Sequence, residues 1–364
     1  MRVLITGGGT GGHCTPAIAV AEALRQTDPK VVITYVGRAD GPESRLVPSA
    51  GLEFYGLLLG RMGSSTRTAT PRLATRLPLA YGQASRLVRR FRPDVVLATG
   101  GYVCVPVALA ARRRGIPVLL LEQNMLPGKA VRWLASRVRV VATSFAGTAQ
   151  LLPRAMVICT GNPVRLTFAD LAGRPPPSQA PPSLLVMGGS QGARHLNQVL
   201  LEALPALLEA IPALTVVHLT GSAEHPQVVE TATAAGLPVG SRYLPRPFVS
   251  DVAARMAAAG LVVMRAGGSS LAEAACLGRP MVLVPYPHAR EHQTANAVPF
   301  LEAGAARLIP DPELEPALLV GTVTEILADP LRWRAMAEAS ASMARPRAAL
   351  DVAALLAQLA VRSR

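Results

Sequence analysis

The chain has 364 residues, half of them hydrophobic, with a mean hydropathy of +0.32; this allows about two domains and a sizeable core, and it excludes a disordered chain. The net charge of +14 is uneven: residues 1–162 hold 21 basic and 7 acidic residues, whereas 163–364 hold 16 of each. No apolar run approaches the roughly 18 residues that span a bilayer, and four cysteines without a C-x-x-C pair (Cys14, Cys104, Cys159, Cys276) exclude a disulfide framework or zinc site and read as buried or incidental thiols.

In chain order, "RVLIT" at 2–6 is a short apolar strand, and no basic-then-apolar leader precedes it, which reads as a cytosolic start. Glycines follow, then an amphipathic helix, "TPAIAVAEALRQ", and a second strand, "VVITYVG". Between Phe54 and Pro93 stand eight arginines and no acid. A segment of this kind draws an anionic surface, either nucleic acid or phospholipid. The strand-to-glycine pattern repeats in "PDVVLATGGY" (93–102), followed by helical "PVALAARRRG" and the strands "IPVLLLEQN", "VRVVATS" and "AMVICTGNPV". "GRPPPSQAPPS" at 173–183 breaks the series as an exposed excursion.

The pattern then restarts with "SLLVMGGSQGARHLNQVLLEAL" (183–204), and "LTVVHLTG", "GLVVMRAGGSSLAEAACLG" and "PMVLVPYP" obey the same rule. The fold class is therefore α/β, with two Rossmann-like parallel-sheet domains expected to face each other across a cleft. The reading divides them into 1–162, 163–343 and a terminal helix in 344–364 that returns to the first domain.

"GGGTGG" places Gly7, Gly9 and Gly12 in the G-x-G-x-x-G spacing, where backbone N–H groups can meet an oxyanion at a helix start. A dinucleotide enzyme would want an acid at the end of the second strand; Gly37-Arg38 stands there instead, which disfavours NAD more than NADP. His13 closes the loop. Its imidazole can serve as a base toward an attacking hydroxyl, or it can merely cap a neighbouring turn.

Seven ordered motifs, "GGTGGH" (8–13), "TGGYVCVP" (99–106), "EQN" (122–124), "GNPVR" (161–165), "GGSQGARHLN" (188–197), "RAGGSSLAEAACLGRP" (265–280) and "PYPHAREHQTANA" (285–297), together resemble the MurG family of cell-wall N-acetylglucosaminyltransferases. The resemblance spans nearly the whole chain. It implies the GT-B fold and inverting transfer of N-acetylglucosamine from UDP-GlcNAc to the muramyl 4-hydroxyl of undecaprenyl-pyrophosphoryl-MurNAc-pentapeptide. It further implies a peripheral enzyme on the cytoplasmic face of the cell membrane, and leaves room for assembly with other envelope-synthesis proteins. The nearest rivals are another GT-B enzyme, such as a glycolipid glycosyltransferase or a UDP-sugar epimerase, and more distantly an NADP-dependent oxidoreductase.

By the same resemblance His13 is the candidate base and Glu122 the reserve. The family's usual "HEQN" reads "LEQN" here, with Leu121 in the histidine's place. The donor set is Thr10, Gly11, Gly12, Asn124, Arg165, Ser190, Val249, Gly268, Ser269, Ser270, Leu271, Ala272, Glu273, His292 and Gln293, with Glu273 on the ribose. Gly11, Gly12, Gly100, Gly101 and Tyr102 would cradle the acceptor's pyrophosphate. His288 and His292 stand four apart, but Pro285 and Pro287 make the segment a loop and no third ligand is near, so no metal and no cofactor is expected.

The resemblance also assigns the arginine-rich segment to anionic lipid, through Arg72, Arg76, Leu77, Leu79, Tyr81, Arg86, Arg89 and Arg90. The alternative is an ordinary solvated helix whose leucines face the core. Aromatics make up only 4% of the chain, too few for the stacking platforms of a nucleic-acid binder, so no nucleic-acid partner is expected.

Overall fold

The computed structural model describes residues 1–9, 11–59, 66–173, 182–189, 193–287 and 291–361, with backbone alone for 66–75. The chain forms two compact units, Met1–Leu166 with Arg345–Arg364, and Thr167–Ala344.

In the first unit seven parallel strands, β1 (Arg2–Thr6), β2 (Val32–Arg38), β3 (Glu53–Leu57), β4 (Val95–Ala98), β5 (Val118–Glu122), β6 (Val140–Thr143) and β7 (Val157–Cys159), lie in the order β3-β2-β1-β4-β5-β6-β7. Helices α1 (Gly11–Thr27), α2 (Glu43–Ser49), α3 (Thr66–Phe91), α4 (Cys104–Arg112) and α5 (Lys129–Ala135) connect them, and the short α6 (Leu166–Ala169) follows the sheet. Near-continuous apolar strands such as "VLLLE" suit a parallel sheet covered on both faces. Their side chains still alternate. Val3 and Ile5 enter one core with α1, while Leu4 enters the other beneath α3 and α4.

The second unit repeats the plan with β8 (Ser183–Met187), β9 (Thr215–Leu219), β10 (Tyr243–Arg246), β11 (Leu261–Met264), β12 (Met281–Leu283) and β13 (Ala306–Leu308), in the order β10-β9-β8-β11-β12-β13. Its helices are α7 (Arg194–Ala210), α8 (His225–Ala234), α9 (Val252–Ala258), α10 (Gly268–Cys276), α11 (His292–Glu302), α12 (Pro316–Leu327) and α13 (Pro330–Ser342). The last helix, α14 (Ala348–Val361), belongs to the first unit, where Val352, Ala353, Leu356 and Ala360 close the core beside α1.

In each sheet the strand order reverses once, between β1 and β4 and between β8 and β11. The loops leaving those strands diverge there and open a crevice at the strands' carboxyl ends. Both glycine-rich turns follow a switch-point strand.

Helix α3 alters the reading of the arginine-rich segment. Leu77, Tyr81 and Leu87 are half-buried against the core and Val88 is buried within it, so Leu77 and Tyr81 present only part of their surface outward. The spacing that makes the segment look amphiphilic is that of a helix lying on its own sheet. Leu79, 54% exposed, stands outward with Arg76, Arg86, Arg89 and Arg90. The side chain of Arg72 lies outside the described residues.

A polar network crosses the second core. The Asn197 amide nitrogen donates to the Thr220 carbonyl (3.0 Å), so its Oδ1 faces His218 Nε2 (3.0 Å), and the Tyr243 hydroxyl meets His218 Nδ1 (2.8 Å). His218 therefore carries its proton on Nε2. Burial, and secondarily the charge of His225, pushes its pKa down to about 3. The unfolded chain binds this proton near pH 6.5, so the stabilisation is whole above that value and is lost progressively as pH falls toward 3. Urea unfolding should show about 1 kcal/mol less stability at pH 5 than at pH 6 from this group, and His218→Asn should remove that difference. An unchanged pH slope in the variant would exclude His218 as its source.

Candidate active site

At the first switch point, α1 begins directly after the β1 loop, and His13 lies half-buried in its first turn. Two glycines after β4 make room for it. Gly100 has φ +106°, and a Cβ there would lie 2.8 Å from the imidazole Nδ1 and Cε1; Gly101, at φ +77°, packs against the Gly8 carbonyl. The Thr99 hydroxyl donates to the His13 carbonyl (2.9 Å). His13 Nδ1 meets Gln123 Oε1 at 3.0 Å, and Gln123 Nε2 donates to the carbonyls of Thr99 (2.9 Å) and Leu121 (3.4 Å). Leu121 is fully buried in the core, so that position offers the site no polar group.

A carboxylate lies beneath the glycine loop. Glu43 is fully buried and accepts from Gly9 N (3.2 Å) and Arg38 N (2.9 Å). The Gly9 amide is thus engaged by the protein itself. Arg38, at the end of β2, pairs with Asp40 (3.0 Å) and lies over the Tyr102 ring at 5.8 Å. Under the same loops burial pushes the thiols of Cys14 and Cys104 up to about 12, so both stay protonated and inert.

Glu122, the reserve candidate for the base, is hydrogen-bonded on both carboxylate oxygens. Its Oε1 accepts from the Asn124 backbone N (2.9 Å) and side-chain Nδ2 (3.0 Å), and its Oε2 from Gly128 N (2.8 Å). A buried carboxylate tied by three donors organises the loop that starts α5. Asn124, held by it, is half-buried at the sheet's carboxyl edge.

The second unit builds an edge of the same kind. Helix α10 starts from Gly267 in extended geometry with no side-chain cap, so the first-turn amides of Gly268, Ser269 and Ser270 stand at the positive end of the dipole. Leu271 is buried, Ala272 is half-buried, and Glu273, 6% exposed, lies in the second turn. Arg265 braces this turn, donating to the carbonyls of Val284 (3.1 Å) and Pro285 (3.3 Å) and pairing with Asp311, which also meets His195 Nδ1 (3.3 Å). Asn296 Nδ2 donates to the Ala266 carbonyl (3.2 Å), tying α11 to the same loop. His292 and Gln293 open α11 half-buried, and Gln293 Oε1 accepts from Tyr286 N (2.8 Å). Val249 is buried in the loop after β10.

The expected donor set is therefore divided. Gly11, Gly12, Asn124 and Arg165 lie in the first unit, whereas Val249, Gly268 to Glu273, His292 and Gln293 lie in the second. Thr10, Ser190 and His288 are outside the described residues. The sequence reading missed Gln123, Glu43, Thr99, Arg265 and Asp311. Gln123 stood in plain view between two named residues of "EQN"; Glu43, opening a short helix, gave no signal of its burial.

Residues 3–143 match the glycosyltransferase family 28 N-terminal domain, and residues 183–352 match the glycosyltransferase family 28 C-terminal domain. The chain is 39% identical, over 94% of each chain, to the UDP-N-acetylglucosamine--N-acetylmuramyl-(pentapeptide) pyrophosphoryl-undecaprenol N-acetylglucosamine transferase of Syntrophotalea carbinolica. It is 38% identical, over 99% of each chain, to the protein of that name from Desulforudis audaxviator. Among solved structures it is similar to Acinetobacter baumannii MurG, with a TM-score of 0.77 and 29% identity over 98% of this chain and 99% of that one.

Glu122→Gln would turn one of two satisfied acceptor oxygens into a donor facing an N–H. The expected cost is about 2 kcal/mol, the scale of a hydrogen bond to a charged group, read as a lower urea midpoint. Wild-type stability in the variant would show that the loop does not depend on this carboxylate.

Proposed function

Since the chain belongs to the MurG family of family 28 glycosyltransferases, we propose that it transfers N-acetylglucosamine from UDP-GlcNAc to the 4-hydroxyl of undecaprenyl-pyrophosphoryl-MurNAc-pentapeptide, completing the lipid-linked peptidoglycan precursor. The observation that carries this reading is likeness along the whole chain to transferases of that name, with a topological switch point in each sheet. In this reading the donor belongs to the second unit. The α10 first-turn amides receive the diphosphate, Glu273 takes the ribose hydroxyls, and Gln293 and His292 serve the sugar. Charge leaving on UDP is met by backbone donors and the helix dipole, so the proposed reaction needs no metal or other cofactor.

The acceptor belongs to the first unit, with its pyrophosphate at Gly11, Gly12 and the Gly100–Tyr102 turn. His13 Nε2 takes the proton from the 4-hydroxyl as that oxygen attacks the anomeric carbon from the side opposite UDP. The step inverts configuration and passes through an oxocarbenium-like state. His13→Ala should lower kcat by about 10²–10⁴-fold with UDP affinity retained, while Glu273→Gln should weaken UDP-GlcNAc binding by roughly 1.5–3 kcal/mol and leave the acceptor's affinity unchanged. Calorimetry and turnover of a short-chain lipid-linked acceptor separate the two effects. Full activity of the first variant, or full donor affinity of the second, would remove that residue from its role.

Among the described residues no helix is long and apolar enough to cross a membrane. The enzyme in this reading works peripherally at the cytoplasmic face of the membrane, where its acceptor's carrier is anchored, with the excess positive charge of the first unit meeting anionic headgroups. Each exposed arginine contributes on the order of 1 kcal/mol near such a surface, screened by salt. Arg86, Arg89 and Arg90 together changed to Glu should abolish binding to anionic vesicles and spare turnover of a soluble acceptor. Equal binding of the wild type to neutral and anionic vesicles would overturn this part of the reading.

A further inference from the structure

We propose that Gln123 is the positioning residue of the base, resting on the reading of His13 as that base: its amide fixes the imidazole in the tautomer that leaves Nε2 able to accept the substrate proton. The hydrogen bonds leave one assignment. Gln123 Nε2 lies 2.9 Å from the Thr99 carbonyl and 3.4 Å from that of Leu121, and carbonyls only accept. The amide therefore presents Oε1 to His13, and Nδ1, 3.0 Å away, must donate. With its proton on Nδ1, the neutral ring has its lone pair on Nε2. The Thr99 hydroxyl holds the His13 main chain from behind, and the bare face of Gly100 lets the ring lie against the β4 turn.

The partner's neutrality matters as much as its geometry. In the familiar hydrolase arrangement a carboxylate holds the histidine and stabilises the imidazolium that forms. Here the titratable groups on the surrounding elements are otherwise engaged. Glu43 of α2 accepts from Gly9 and Arg38, and Glu122 of β5 accepts from Asn124 and Gly128. Cys14 of α1, Cys104 of α4 and Tyr35 of β2 are buried and uncharged, and Arg38 pairs with Asp40. Gln123 thus orients the ring without adding a charge beside it, which suits a base that must shed its proton each turnover.

The experiment compares Gln123→Leu and Gln123→Glu with wild type and His13→Ala, measuring kcat and KM for UDP-GlcNAc across pH. Gln123→Leu should lower kcat by about 10–100-fold, part of the general-base effect, with KM for the donor within about twofold. Gln123→Glu keeps an acceptor at Nδ1 and adds a charge, so it should recover part of kcat and move the acid limb of kcat/KM upward by about one pH unit, the lower end of the range for an adjacent opposite charge. A merely structural role would not move that limb. An unmoved limb in Gln123→Glu, or wild-type kcat in Gln123→Leu, overturns the inference while a slow His13→Ala leaves the base in place. Wild-type kcat in His13→Ala overturns the base itself, and this inference with it.

Discussion

Every strand of both sheets runs parallel, and the central strands β1, β4, β5, β6, β11 and β12 are buried almost throughout, so their interiors have little room for a charged side chain. Polar chemistry is displaced to the carboxyl ends, where chain reversals at β1/β4 and β8/β11 part the loops. His13, Gly100 and Gln123 stand at such ends in the first unit, and Arg265 and the α10 start stand there in the second. The exception proves costly. His218 lies within β9 and is tolerated only because Tyr243 and Asn197 satisfy both ring nitrogens.

Buried carboxylates follow the same economy. Glu43, the first residue of α2, and Glu122, the last of β5, are both sealed where an element meets a loop, and each is matched to backbone N–H groups instead of a cation. Several backbone donors can stabilise a carboxylate as well as one ion pair, and they do so without a long flexible side chain. The result is two braced strand ends, β1 and β5 with β4 between them, one leading to His13 and the other to Gln123, whose imidazole and amide meet within the protein itself.

Much of this was legible in the sequence, because apolar runs ending in glycine mark parallel strands and their turns. Three short edge strands were not, β13 among them with only three residues. β3 alternates exposed and buried residues over only five positions, and β10 contains Pro245, which an edge strand tolerates because its other side needs no ladder donor. Leu77 and Tyr81 show a second limit of pattern. A helix that packs on a sheet and one that dips into lipid share the same apolar spacing, and only tertiary contact separates them. The Gln123–His13 bond joins residues 110 positions apart, a distance over which pattern says nothing about pairing.

The return of α14 has a consequence for synthesis. The first core needs Val352 and Leu356, yet the second unit is translated entirely between that helix and the sheet it covers. On the ribosome the first sheet therefore waits with part of one face, beside α1, uncovered until residues 348–361 emerge, while the unit encoded in between has all its own strands and can finish first. The order in which the two halves mature is the reverse of the order in which they begin.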